Sequence, residues 1–469
     1  MKFPLLSKAA ALGAVLLLLS LVVFRIEGLV EERHSRQQQA LASVEQSLAG
    51  PQTLLGPLLH RNCSEEWEVR QGTGKERQTS TLRRSFVLSS TPQELRVSGT
   101  LQAERRYRGL FKIHGYSGQM VLEASWPTLE AMQPVREQSG SRLQCGPARL
   151  MLSLSDVRGL RQAQVLLDGQ AATVEPGTEF SAHPSGLHAV LSEARAVQAA
   201  APFTARVTLD LLGTAQLALV PAAAQTTWSL RSDWPHPSFI GRFLPQQREV
   251  TEQGFQASWA VNSLASSAAR DALRAGRVCA TPRNAQLEYG ETPPSAAASD
   301  KEHTCLDTLG LAFIDPVNPY VLSDRAIKYA ILFIVLTFAC VALTEVLSRR
   351  RVHPVQYTLL GLALALFFLL LLSLSEHLGF GQAYAVASVA CLSLLSFYAR
   401  HMLGRWSAGL AFGAGVGLLY AALWVLLRME QTALVVGSLL LFGVLGVVMV
   451  LTRRVDWYER FRSTGNAGA

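Results

Sequence analysis

Apolar residues gather into six runs, one at the start of the chain and five in its last third, with a long and mostly polar stretch between them. The runs cover residues 5–24, 329–347, 357–375, 382–398, 408–427 and 432–451. Each approaches the ~20 residues that a helix needs to cross ~30 Å of hydrocarbon, and no run of that length recurs between Gly28 and Arg325. Six transmembrane helices are therefore predicted, one N-terminal and five C-terminal.

Between them the period changes from helical to alternating. Val207, Leu209 and Leu211 point one way and Thr208 and Asp210 the other, as in a half-buried strand, and the same period returns at Trp228 and Leu230 against Ser229 and Arg231. Further strands are predicted at residues 67–70, 83–88, 95–102, 111–126, 150–157 and 255–259. Short strands punctuated by Gly, Pro and Ser indicate an antiparallel, sandwich-like domain in one lobe or two, with residues 134–145 as the dividing stretch. Amphipathic helices are predicted at residues 30–48, closed by Gly50-Pro51, and at residues 263–273. The organisation expected is an anchor at residues 1–27, a β-rich domain at 28–325, a five-helix bundle at 326–455 and a tail at 456–469.

Charge gives this layout a direction. The β-rich stretch from residue 28 to 325 holds 29 basic and 29 acidic residues, so the formal excess of +8 belongs entirely to the membrane part. Basic residues beside short loops stay on the cytoplasmic side. Lys2, Lys8, Arg349, Arg350, Arg351, Arg400, Arg405, Arg453, Arg454, Arg460 and Arg462 all fall on one side if both termini are cytoplasmic, leaving only Arg428 in a short loop opposite. The large domain is then periplasmic. A balanced domain has no basic stripe for nucleic acid. The sequence after the first run, Phe24-Arg25-Ile26-Glu27, lacks a small-x-small cleavage site, so that run reads as a retained anchor.

Cys63, Cys145, Cys279 and Cys305 lie outside the apolar runs, and four cysteines allow three pairings. Cys279 with Cys305 is the preferred pair, because the two bracket residues 281–304, a Pro-, Ala-, Ser- and charge-rich excursion; free or partly paired thiols are the alternative. Cys340 and Cys391 read as small packing residues. No zinc, phosphate-loop, Cys-x-x-Cys or nucleophile-elbow motif is present, and no cofactor is indicated. Gly115-Tyr116-Ser117-Gly118 comes nearest to an elbow but sits in a strand pattern. His60 with Cys63, or His183 with His188, suggests metal ligands only weakly, and surface histidines are the expectation.

Trp234-Pro-His-Pro-Ser-Phe239 is the most distinctive polar-region stretch. Two prolines stiffen the backbone around His236, so Trp234, His236 and Phe239 form either a binding loop or a rigid corner with both aromatics in the core. At the membrane interface, Asp324, Arg325 and Lys328 precede the second run and Glu376 and His377 end the third, while Glu345 lies one turn from Arg349 as a snorkelling pair. No run has a midplane acid or base. Gly409, Gly413 and Gly417 recur every four residues as a helix-packing ridge.

Trp234-Pro-His-Pro-Ser-Phe239, Phe243-Leu-Pro245, Arg248-Glu-Val250 and Gly254-Phe-Gln-Ala257 resemble signature stretches of the CreD family of inner-membrane proteins. So do Gly50-Pro-Gln, Leu322-Ser-Asp-Arg-Ala-Ile-Lys-Tyr-Ala330, His353-Pro-Val-Gln-Tyr357, Leu370-Leu-Leu-Ser-Leu-Ser-Glu-His377 and Leu451-Thr-Arg-Arg-Val-Asp-Trp-Tyr458. The resemblance implies a multi-pass protein of a bacterial inner membrane, tied to envelope integrity, envelope stress and β-lactam response, with expression linked to CreB and CreC. It brings no reaction and no catalytic residues. The stretch between Leu273 and Pro319 departs from the family pattern. A non-enzymatic envelope protein fits best, its periplasmic domain binding an envelope component or inner-membrane partner at the bilayer. A transporter or lipid handler is second, and an enzyme on cell-wall or lipid substrates, using His236 with Glu376 and His377, is third.

Overall fold

The computed structural model describes residues 4–71, 78–274, 276–279, 305–313, 319–348, 352–404, 406–429 and 433–453. The 281–304 excursion, Lys2, Arg349 to Arg351, Arg405, Arg454, Arg460, Arg462 and the tail at 456–469 lie outside the described residues. Two compact units emerge, Met1–Gln38 with Val317–Ala469, and Gln39–Pro316. The anchor does not stop at Gly28. It continues as one helix, α1 (Pro4–Ser47), until Gly50-Pro51.

The second unit is a β-sandwich. One sheet has nine strands: β14 (Pro237–Gly241), β17 (Leu309–Phe313), β12 (Gln216–Leu219), β1 (Gln52–Gln71), β6 (Arg149–Leu154), β10 (Gly186–Val190) and β9 (Val174–Pro176) in spatial order, with β2 (Gln78–Ser90) and β5 (Arg142–Cys145) also paired to β1. The other has eight in the order β15 (Gln247–Thr251), β16 (Gly254–Asn262), β13 (Gln225–Ser232), β3 (Glu94–Arg108), β4 (Phe111–Trp126), β11 (Phe203–Thr214), β7 (Leu160–Leu167) and β8 (Gln170–Ala172). An all-antiparallel sheet was expected. Instead β1 runs parallel to β12 and β13 parallel to β3.

The alternation that includes Val207, Leu209 and Leu211 ends with β11, and a second strand, β12, follows it. Ala215, at φ 58°, breaks the run, so β11 stays in the eight-stranded sheet while β12 crosses to the nine-stranded one. Aromatic and aliphatic side chains from both sheets fill a common core. Trp228 and Trp259, opposed in register, stack with ring centroids 4.7 Å apart. Tyr116 stacks on Phe313 at 4.9 Å and its hydroxyl donates to the Gln216 carbonyl at 2.8 Å, tying one sheet to the other. Each such aromatic contact adds about 0.5–1.5 kcal/mol beyond its burial.

Residues 134–145 do not divide the domain into lobes. Glu65, on β1, is buried and accepts from the Ser141 hydroxyl at 2.6 Å and from the backbone N–H groups of Glu137 and Gln138 at 3.1 Å each. These donors hold its carboxyl below the ordinary carboxylate range. Cys145 then closes a disulfide to Cys63. The segment is pinned along β1 by hydrogen bonds and a covalent bond. The short helices of this unit are α2 (Glu193–Val197) and α3 (Ala268–Leu273); α3 is shorter than the expected 263–273 because Asn262 Oδ1 holds the N–H groups of Leu264 and Ala265 in a turn.

The other unit holds the first part of α1 with α4 (Pro319–Lys328), α5 (Ala330–Ser348), α6 (Pro354–Ser375), α7 (Phe380–Leu403), α8 (Trp406–Arg428) and α9 (Ala433–Thr452). Among the described residues four helices are long and apolar enough to cross a membrane, or five if α4 and α5, bent by 44°, form one broken span. The expected six is therefore an upper count. The apolar part of α9, Val435–Val450, is shorter than the others. His353 opens α6 with a reciprocal cap: its ring nitrogen accepts from the Val355 N–H at 3.3 Å and its own N–H donates to Gln356 Oε1 at 3.1 Å.

In α8 the glycine ridge faces α7. A Cβ on Gly409 would come within 2.9 Å of the Arg400 backbone nitrogen, one on Gly413 would collide with Ser396 Oγ, and one on Gly417 would touch Leu392. The ridge is a packing surface within the bundle.

Replacing Gly118 by Ala puts a methyl group into the carbonyl oxygen of Thr100 across the β3–β4 ladder. We expect a loss of about 1–3 kcal/mol, read as a lower unfolding midpoint of the β-domain by tryptophan fluorescence. Gly409→Val should lower the thermal midpoint of the detergent-solubilised chain, since rigid backbone blocks its side chain. Gly417→Ala, with its neighbour at 3.6 Å, should be close to neutral.

Candidate functional site

The Trp234 segment is a corner. Trp234 is buried, its indole N–H donates to the His236 carbonyl at 2.7 Å, and its ring lies 4.6 Å from that of His114. Phe239 packs edge-on against Phe255 and Trp259, while β14 pairs Phe239 with Leu311. Of the three candidate loop residues only His236 is exposed, so a contact surface built on both aromatics is not available. The prolines hold the chain where it turns from β13 into β14. His236 lies in one unit, and Glu376 and His377 in the other.

The histidines expected at the surface are interior. His60, His183 and His188 are 1%, 4% and 3% exposed, because each ring holds one backbone carbonyl. His60 Nε2 meets the Thr178 carbonyl, His188 Nδ1 that of Gly177 and His183 Nε2 that of Ala272, all at 2.8 Å. Phe180 stands between the rings of His60 and His183, at 5.4 and 5.8 Å. Burial lowers the pKa of His60 and of His183, opposed in each by the carbonyl contact. No group of three His, Cys, Asp or Glu suited to a metal ion occurs among the described residues. Cys63 is in its disulfide, and Cys279 is bonded to Cys305. Ser117 is a mid-strand residue whose hydroxyl donates to Glu104 at 2.6 Å.

Interfacial charges in the helical unit form local pairs. Glu376 stands 3.5 Å from the Arg33 guanidinium, and the Tyr320 hydroxyl donates to it at 3.4 Å. Lys328 pairs with Asp324 at 2.6 Å, one turn away on the same helix. Arg325 lies between them, in the last turn of α4. His377 closes the turn after α6 through its backbone N–H to the Leu374 carbonyl. Glu345 accepts from the Tyr357 hydroxyl at 3.2 Å, and its expected partner Arg349 is outside the described residues.

One surface feature escaped the sequence reading. On the outer face of the eight-stranded sheet lies a trough of about 260 Å³, lined by Ser98, Gly99, Thr100, Gln119, Val121, Ser229, Arg231 and Gln256. Register puts these residues side by side: Thr100 faces both Gln119 and Arg231, Arg231 faces Gln256, and Ser98 faces Val121 and Ser229. Arg231 donates to Gln256 Oε1 at 2.9 Å, which turns the amide N–H₂ of Gln256 outward as a donor. Hydroxyls and amides supply donors and acceptors in one open groove with a single cation. Such a lining presents hydrogen-bond donors and acceptors to a polar group.

Comparison with known proteins decides the family. The family described as inner membrane protein CreD matches residues 4–458. The chain belongs to the CreD family. The inner membrane protein CreD of Escherichia coli is 32% identical over 459 residues, covering 98% of this chain and 95% of that protein. Membership places the chain in a family of inner membrane proteins with several membrane-spanning helices. Part of the chain is also similar to a solved M1 zinc metallopeptidase from Deinococcus radiodurans, 12% identical over 36% of this chain and 38% of that one, and the TM-score of 0.20 carries no argument.

The two buried imidazoles give this CreD-family domain a pH dependence of known sign. An unfolded imidazole takes up its proton near 6.5, while burial keeps the folded His60 and His183 neutral to lower pH. Their contribution is complete above about 6.5 and falls as pH drops from there through the lowered folded values. The unfolding midpoint should be lower near pH 5 than near pH 7.5, and His183→Gln, which keeps an N–H donor without titrating, should shrink the difference.

Proposed function

We propose that the chain is a non-enzymatic binding protein of the inner membrane that supports cell-envelope integrity. Its β-sandwich lies in the periplasm, both termini are cytoplasmic, and the domain holds an envelope component through the polar trough. The trough carries the proposal. A filled sandwich with an open groove of hydroxyls and amides on its outer face suits adhesion by hydrogen bonding, and asks for no reaction. Net bonds of this type contribute roughly 0.5–1.5 kcal/mol each, so several in a row are needed for useful affinity. A polymer that repeats hydroxyl or amide groups supplies them.

Two disulfides outside the helices support placement in an oxidising compartment. The distribution of Lys and Arg beside the apolar runs supports the same orientation. Regulation through CreB and CreC, and a part in envelope stress and β-lactam response, fit a protein that senses or braces the envelope. A core filled by Trp126, Trp228, Tyr116 and Phe203 weighs against the passage of an apolar molecule through the sandwich.

A photoreactive amino acid placed at Gln119 or Gln256 in growing cells should capture an envelope component. Arg231→Leu with Thr100→Val should reduce that capture about tenfold, the equivalent of one or two net hydrogen bonds. Equal capture from the same probe at Gln170, on the edge strand β8, would sink the assignment of the trough. A reporter fused after Ala469 that proves periplasmic would sink the orientation.

A further inference from the structure

The β3–β4 hairpin runs past the body of the sandwich. β11 last pairs with β4 at Thr214 and Gly115, yet β3 and β4 continue as a two-stranded ribbon through four more rungs, from Arg105 and His114 to Arg108 and Phe111. At roughly 3.4 Å per residue the ribbon extends about 13 Å beyond that rung, with Ile113 still buried along it. It carries Arg105, Arg106, Arg108 and Lys112, with Glu104 at its base as the acid paired to Arg106. Neither Arg105 nor Arg108 forms an ion pair with a described residue. Its tip exposes Tyr107 at 68% and Leu110 at 54%.

The rungs mix charge with apolar groups. Tyr107 faces Lys112, Arg106 faces Ile113 and Arg108 faces Phe111. Aromatic rings beside long cationic side chains suit the boundary between water and hydrocarbon, where the ring sits at headgroup level and the cation reaches a phosphate.

Ala49 and Phe313 lie at the end of the sandwich that bears this ribbon. At the N-terminal side, the Ala49 carbonyl accepts from the Thr214 hydroxyl, and Thr214 is the partner of Gly115. At the C-terminal side, the Phe313 N–H donates to the Ala215 carbonyl at 2.7 Å, and Ala215 in turn donates to the His114 carbonyl at 3.1 Å. The ribbon therefore shares one end of the sandwich with Ala49 and Phe313.

We propose that the β3–β4 ribbon is a membrane-docking arm that binds the anionic phospholipid headgroups of the bilayer, with Arg105 and Arg108 at phosphates and Tyr107 and Leu110 at the acyl boundary. The arm is separate from the trough, and each stands or falls alone.

The test uses the full chain with Cys340→Ala and Cys391→Ala, a nitroxide on Leu110→Cys, and a control label on Gln170→Cys. It is reconstituted in nanodiscs of phosphatidylcholine with or without phosphatidylglycerol. With phosphatidylglycerol, the label at 110 should lose several-fold in accessibility to a water-soluble nickel chelate and gain in accessibility to oxygen. Added salt, or Arg105→Glu with Arg108→Glu, should restore the pattern seen in phosphatidylcholine, and the label at 170 should not change. A label at 110 that is equally water-exposed in both discs overturns the proposal. So does equal depth in both, which removes the charge requirement, or protection by a soluble polyanion and not by the discs. The lipid comparison uses one labelled protein, so a folding defect in the charge variant leaves it decisive. Capture at the trough together with a water-exposed tip would refute the arm and leave the binding role intact.

Discussion

A single strand organises the β-domain. β1 is 20 residues long and pairs in succession with β12, β6, β5 and β2, so the nine-stranded sheet is laid out along it. It also carries Cys63, bonded to Cys145, and Glu65, the acceptor that pins residues 137–141. A buried carboxylate tolerates its loss of water only while those three donors remain. Strand, disulfide and carboxylate act on the same segment, and that is why a stretch with loop composition becomes part of one sheet.

The outer face of the opposite sheet is free to differ because the inner face holds the sandwich together. Trp228, Trp259, Leu230 and Ala257 point inward, so Ser229, Arg231 and Gln256 between them are released from packing and can serve a ligand. In the β3–β4 ribbon, beyond the last rung shared with β11, Ile113 stays buried and His114 packs on Trp234, while the other positions turn to arginine, tyrosine and lysine.

In the helical unit, close approach is bought by small residues and fixed by polar contacts. The α8 ridge lets α7 come to backbone distance, and Gly361 leaves room for Leu19 of α1. Tyr384 donates to the Tyr420 carbonyl at 2.6 Å, and Phe367 lies 4.4 Å from the Tyr420 ring. Arg33 and Glu376 tie α1 to the end of α6. Interfacial charges are thus matched locally, which fits an anchor.

Much of the layout was legible in the chain. Apolar run length marked the membrane helices, since hydrocarbon thickness sets a minimum that no polar segment meets, and the strand read at residues 111–126 is β4 with the same bounds. Motif order identified the family. Other features depended on which segments meet. Short strands such as β5, β8 and β9 have too few residues to show a period, and the switch of sheets at Ala215 rests on one backbone angle. His60 and His183 look like surface residues in sequence because their carbonyl partners are distant in the chain. Trp234 and Phe239 resemble a binding loop until the rings of Phe313, Phe255 and Trp259 are found against them. The trough is the clearest case. Each strand declares its own polar face, but only the register of β3, β4, β13 and β16 sets those faces side by side, and register is a property of the folded sheet.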